Sequence, residues 1–125
     1  MNALYIPDNH LRLVEEPDGS ITISLSEHLS ARIGDPDWVN WSAVPGDELS
    51  PGIPFASIET NKAVYEATIP FPAVLAENNP LVQEKASLLC SQPNGDGWLC
   101  RIRPSVDAWR DGLLDEAAYS AYIAP

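Results

Sequence analysis

The chain has 125 residues, 18 acidic against 7 basic side chains, and a formal net charge of −11. That length fits one compact domain, and so acidic a surface excludes a nucleic-acid partner, whose phosphates need basic groups. No apolar run has membrane length, residues 1–10 read neither as a secretory signal nor as an Arg-rich transit peptide, and two cysteines with only His10 and His28 beside them make neither a disulfide framework nor a metal set.

Twelve prolines and seven glycines cut the chain into short pieces, which suits strands and turns better than long helices. Residues 11–14 and 21–25 read as strands joined through Glu16-Pro17-Asp18-Gly19, where the Asp-Gly pair marks the turn. A small helix is predicted over 26–33, with Ser26 as N-cap, Leu29 and Ile33 on one face, and Gly34 as its end. Residues 38–44 are predicted as a strand, followed by turns at Pro45-Gly46-Asp47 and Pro51-Gly52. Strands over 54–59 and 63–69 enclose Thr60-Asn61-Lys62, and a further short strand covers 73–76. A helical turn fits 80–84, and strands fit 87–90 and 98–102, separated by the polar loop 92–97. Leu113, Leu114, Ala117, Ala118, Tyr119 and Tyr122 have helical spacing, with Asp115 and Glu116 in the first turn, where acids suit the helix dipole. Together these elements predict an all-β fold: two small sheets forming a flattened, capped barrel or sandwich, with a short internal helix and a C-terminal helix.

Lys62 is one of two lysines, the other being Lys85. It lies between two predicted strands, after Asn61, whose short polar side chain tolerates positive φ in a tight turn. By itself this is an ordinary exposed lysine. A lysine at a hairpin tip points its amine into water, which is poor placement for a buried catalytic base and good placement for an amine that another enzyme must reach and acylate. No nucleophile–base set or carboxylate pair can be argued from spacing, because so acidic a chain offers many accidental pairs.

Glu59-Thr60-Asn61-Lys62-Ala63 resembles the attachment site of lipoyl domains, where an acid lies three residues before a lysine at a hairpin tip. Ile33-Gly34-Asp35, Glu77-Asn78-Asn79-Pro80-Leu81-Val82, Gly97-Trp98-Leu99-Cys100-Arg101-Ile102 and Leu113-Leu114-Asp115 with Tyr119 are similar, in that order, to segments of the glycine cleavage H-protein family. The resemblance runs from about His10 to Tyr122 without a large insertion. The chain departs from the family in having Thr60-Asn61 between acid and lysine, and Ile69-Pro70-Phe71-Pro72-Ala73 after the hairpin.

The resemblance implies a lipoyl-domain-like barrel-sandwich hybrid forming a single lipoyl-carrier domain over 1–125, with its core at about 10–104 and a C-terminal helical segment at 105–125. It implies lipoate bound covalently to Lys62, Glu59 recognised by the lipoylating enzyme, and Asn61 and Ala63 flanking the attachment. His28 is either a half-buried helix residue or a contact for the resting arm. The implied role is a non-catalytic carrier that shuttles an aminomethyl group. Its partners are a pyridoxal-phosphate glycine decarboxylase, a tetrahydrofolate-dependent aminomethyltransferase, dihydrolipoyl dehydrogenase, and a lipoate ligase or lipoyl transferase. The carrier would be a monomer in the bacterial cytoplasm, or in the mitochondrial matrix of a eukaryote. The rival readings are a lipoate-bearing carrier in sulfur transfer or regulatory modification, a biotin carrier, which normally has Met on both sides of its lysine, and an unmodified binding module of the same fold. The acidity suits docking on basic faces of partners or simply solubility. Trp98 is expected in the core, and Cys90 and Cys100 are expected to be half-buried small hydrophobes.

Overall fold

The computed structural model describes residues 3–125. In chain order these form β1 (Ala3–Tyr5), β2 (Leu11–Glu15), β3 (Ile21–Leu25), α1 (Glu27–Ile33), β4 (Pro36–Trp41), β5 (Glu48–Leu49), β6 (Ala56–Thr60) and β7 (Val64–Ala67). There follow β8 (Ala73–Asn78), α2 (Pro80–Glu84), α3 (Leu88–Ser91), β9 (Cys100–Pro104), a 3₁₀ turn (Asp107–Arg110) and α4 (Glu116–Ile123). The strands pair antiparallel in two sheets: six in the order β1-β2-β3-β9-β8-β5, and three in the order β4-β6-β7. The expected all-β, barrel-sandwich architecture is the one observed.

Period-two patterning builds the core. Leu11 and Leu13 of β2, Ile21, Ile23 and Leu25 of β3, Leu75 of β8 and Ile102 of β9 are buried, and they pack with Val39 and Ile58 of the small sheet and with Phe55 and Ile69 at its ends. Each such side chain taken from water stabilises the fold by about 1.5–3 kcal/mol. Ile21 faces Ile102, and Ile23 faces Cys100, across the β3–β9 ladder. The β2–β3 turn forms at the predicted Asp-Gly, with Gly19 at φ 87° and Asp18 Oδ1 accepting from Ser20 N and Oγ. The predicted internal helix is α1. Ser26 Oγ accepts from Leu29 N, and Gly34 ends the helix at φ 81°.

Several predicted elements are corrected. Residues 87–90 are not a strand: Leu88–Ser91 is helical, with Leu89 alone fully buried. A short apolar run does not distinguish strand from helix, and here α2 ends only three residues earlier. β9 begins at Cys100 rather than at 98. Trp98 is half-buried rather than in the core. Leu99 takes the inward place, and the Arg101 guanidinium lies over the indole, 4.2 Å from its centroid. The strand expected over 38–44 is β4, displaced to Pro36–Trp41. Leu113 and Leu114 precede α4. Leu114 pairs with Tyr5 through two backbone hydrogen bonds of 2.8 and 2.9 Å, and Asp115 is the N-cap, its Oδ1 accepting from Ala118 N. β1, β5 and the 3₁₀ turn are too short to carry a pattern of their own.

Asn79 shows how one buried polar residue organises an edge of the fold. It is 1 % exposed. Its Nδ2 donates to the carbonyls of Asp96 (2.8 Å) and Trp98 (2.7 Å), while its Oδ1 accepts from Leu81 N and so caps α2. The loop before β9 is thereby tied to the start of α2. Asn79→Leu keeps the branched shape, with two bulkier methyl groups, but strands two carbonyls and a helix N–H, so it should cost about 2–3 kcal/mol, read as a lower urea midpoint. An unchanged midpoint would show that water replaces the amide.

Candidate functional site at the β6–β7 turn

β6 and β7 pair from Ala56↔Ala67 to Glu59↔Val64, leaving residues 60–63 as the connecting turn. Thr60 closes it. Its backbone N donates to Ala63 O (2.9 Å), and its Oγ1 accepts from Lys62 N (3.1 Å) and Ala63 N (3.2 Å). A threonine hydroxyl that binds the backbone two and three residues ahead mimics a turn and rigidifies it. The positive φ expected of Asn61 is not used: among the described residues, His10 is the only non-glycine with positive φ. Thr60 has no place in the hydrophobic pattern and is not singled out by it. A hydroxyl residue two before the lysine is the signal that could have found it.

Asn61, Lys62, Ala63 and Glu59 are all exposed. Among the described residues no hydrogen bond or ion pair engages the Lys62 amine; the ion pairs are Arg101–Glu77, Arg103–Asp18 and Arg110–Glu15. Lys62 therefore has a fixed backbone and a free amine, which fits a group joined to Nζ by an amide. Lys85 is exposed as well, but it sits at the C-cap of α2 without a hairpin.

Three residues beyond Lys62, the chain borders a cavity of about 210 Å³. Tyr65, Glu66 and Ala67 of β7 line it with Ile58, Leu11, Leu25 and Leu29, and Asp8, Asn9 and His10 stand at its polar side. Asn9 Nδ2 donates to Thr68 O (2.8 Å) and so fastens this loop to the end of β7.

His28 does not line that cavity. It is half-buried on α1, its Nε2 accepting from Arg32 Nη1 (3.1 Å), and its ring lies 5.0 Å from that of His10. It lines a separate polar cleft of about 180 Å³ with Arg12, Ser26, Glu27 and Glu116. His10 is the histidine on the cavity. Its Nδ1 lies 2.8 Å from Tyr119 Oη, which is 3.0 Å from Ser26 Oγ, and Tyr119 stacks on Tyr5 at 4.2 Å. Leu29 N donates to Ser26 Oγ, and in the Nε2–H tautomer of His10 the bonds run on from Ser26 to Tyr119 to His10 Nδ1. The predicted C-terminal helix is thereby joined to α1 and to the edge of the cavity. No periodicity reveals this, because the partners are 93 and 109 residues apart.

Burial first, then the neighbouring His28 and Arg32, hold His10 below the ordinary imidazole pKa. The unfolded chain therefore takes up this proton first as the pH falls. Stability from this group is full above the unfolded value of about 6.5 and is lost as the pH drops from there through the depressed folded value. Thermal melts at pH 7.5 and 5.0 should show a smaller loss in His10→Asn, a residue that tolerates positive φ, than in the unaltered chain. Equal losses would assign the pH dependence to other groups.

Cys90 is half-buried, its Sγ 3.6 Å from Gly34 O, and Cys100 is fully buried on β9. Burial pushes both thiols up, so neither is a ready thiolate. Among the described residues no helix is long and apolar enough to cross a membrane.

The glycine cleavage H-protein family model matches residues 4–125. The glycine cleavage system H protein of Shewanella woodyi is 36% identical over 115 residues, 92% of this chain and 88% of the relative. That of Synechococcus sp. is 35% identical over 117 residues, 94% and 89%, and that of Halorhodospira halophila 31% over 116 residues, 93% and 88%. The crystal structure of a glycine cleavage system H protein from Mycobacterium marinum superposes with a TM-score of 0.82 over 96% of this chain and 94% of that one; at 22% identity it supports the fold. An exposed turn lysine on this fold, and similarity to these relatives over most of their length, lead to one conclusion: the chain belongs to the glycine cleavage H-protein family, non-catalytic carriers that bear lipoate covalently on a lysine and serve the other enzymes of the glycine cleavage system.

Proposed function

We propose that Lys62 is the lysine that carries lipoate, and that the whole chain acts as one lipoyl-carrier domain. The observation that supports this is the free amine of Lys62 at the tip of a turn closed by Thr60, with Glu59 three residues before it. When bound, lipoate supplies a dithiolane at the end of a flexible arm, which accepts an aminomethyl group and is later reoxidised. The protein's contribution is placement. A rigid turn fixes the root of the arm, and tethering raises its effective concentration at each docked partner. Glu59 is assigned to recognition by the lipoylating enzyme, and Asn61 and Ala63 keep bulk away from the amine. The cavity under β7 is assigned as the resting place of the arm, with His10 on its wall and His28 behind His10 as a half-buried helix residue.

The partners in this reading are a glycine decarboxylase, an aminomethyltransferase, dihydrolipoyl dehydrogenase, and a lipoate ligase or lipoyl transferase. The carrier works as a monomer in the bacterial cytoplasm, or in the mitochondrial matrix of a eukaryote. Peptide mapping after incubation with a lipoate ligase, lipoate and ATP tests the assignment: the lipoyl mass is expected on the peptide with Lys62 and not on that with Lys85. Lipoyl mass on Lys85, or none on the chain, would overturn it.

A further inference from the structure

On the outer face of the small sheet, Trp38 of β4 pairs directly with Glu59 of β6, which pairs with Val64 of β7. These three form one cross-strand row at the end of the sheet that carries Lys62. Directly paired residues project from the same face. The neighbouring row Val39–Ile58–Tyr65 turns toward the core, which places Trp38, Glu59 and Val64 outside. Trp38 is 56 % exposed and Val64 58 % exposed. A tryptophan and a valine left in water contribute little to the core, and paired across one acid they make an apolar stripe of the kind that marks interaction surfaces.

We propose that this row, Trp38–Glu59–Val64, is the docking surface for the enzyme that attaches lipoate, a proposal that rests on Lys62 being the attachment site. Attachment requires that enzyme to bring its active centre onto Nζ itself, at the end of the lysine stem. Partners that act on the dithiolane meet the far end of the arm and need not approach the turn so closely. The amine of Lys62 displaces adenylate from activated lipoate. An amide forms, AMP leaves with the bonding pair, and the ammonium proton passes to solvent.

The dimensions agree. Trp38 lies two strands from Val64, about 10 Å at ordinary strand spacing. A standard interface buries about 800 Å² on each partner, a patch roughly 30 Å across. An enzyme seated over Lys62 therefore covers Trp38. Buried tryptophans are among the residues that most often dominate binding energy. Glu59 within the row, with Asp37 and Glu66 exposed nearby, calls for a partner with an apolar pocket for the indole and a basic rim.

Initial rates of lipoylation, followed by intact mass with a purified lipoate ligase, lipoate and ATP, test the proposal. Trp38→Ala is expected to lower kcat/KM about tenfold or more, mainly through KM, while still reaching one lipoyl group per chain. Trp38→Phe, which retains an aromatic anchor and guards against misfolding of the alanine variant, should recover most of the rate. Ile53→Ala, an exposed residue outside the row, should stay within about twofold of the unaltered chain. Normal rates in Trp38→Ala would overturn the docking surface while leaving Lys62 as the attachment site. So would a dimer of the unaltered chain that Trp38→Ala dissociates, which would give the row to a second copy. Absence of lipoylation in the unaltered chain would instead overturn the assignment of Lys62.

Discussion

Lys62→Arg should fold as the unaltered chain does and gain no lipoyl mass. Arginine keeps the positive charge, but its guanidinium stays protonated at any working pH and offers no amine for the amide. The position is exposed, and the turn is closed by the backbone and the Thr60 hydroxyl rather than by the lysine side chain. Surface substitutions of this kind shift stability by no more than about 0.5 kcal/mol. Intact mass after ligase treatment and a thermal melt by circular dichroism measure the two halves. A variant that takes up lipoate would move the attachment to Lys85, and one that melts well below the unaltered chain would make Lys62 structural.

Gly97→Ala should give the largest loss of stability from a single methyl group. Gly97 is buried where the polar loop returns toward β9, its N donating to Gln92 O (2.8 Å). A Cβ built there would lie 1.9 Å from Leu88 O and 2.6 Å from Gln92 O. Both are backbone atoms at the ends of α3, so no side chain can swing aside. Overpacking of this kind costs about 1–3 kcal/mol, and the rigid neighbours put this site at the upper end. The transition temperature should fall by on the order of 10 °C. A variant that melts within a degree or two of the unaltered chain would show that α3 yields easily. Asn79 fastens the same corner from the other side, so Gly97→Ala and Asn79→Leu together should lose a different amount from the sum of the two alone.

Features that depend on near neighbours were legible in the residues alone. Alternating Ile and Leu set the inward faces of β2 and β3, Asp18-Gly19 set their turn, Ser26 and Gly34 bounded α1, and Glu59-Thr60-Asn61-Lys62 between two strands marked the site. These features are written in periods of two and in cap or turn chemistry, whose physics spans a few residues. The ordered segments from His10 to Tyr122 added the family. Tertiary structure alone decided the rest. Leu88–Ser91 became a helix that buries Leu89 fully and lays Leu88 and Cys90 half-buried against the core, and Gly97 lets the following loop close against it. Trp98 was displaced from the core because Leu99 occupies the inward place and Arg101 covers the indole. His10, Ser26 and Tyr119 became one hydrogen-bonded chain, and Trp38, Glu59 and Val64 one surface row, through the pairing of segments distant in sequence. Which side chains meet across strands and helices depends on sheet order and register, and these are fixed only when every buried face has found its partner.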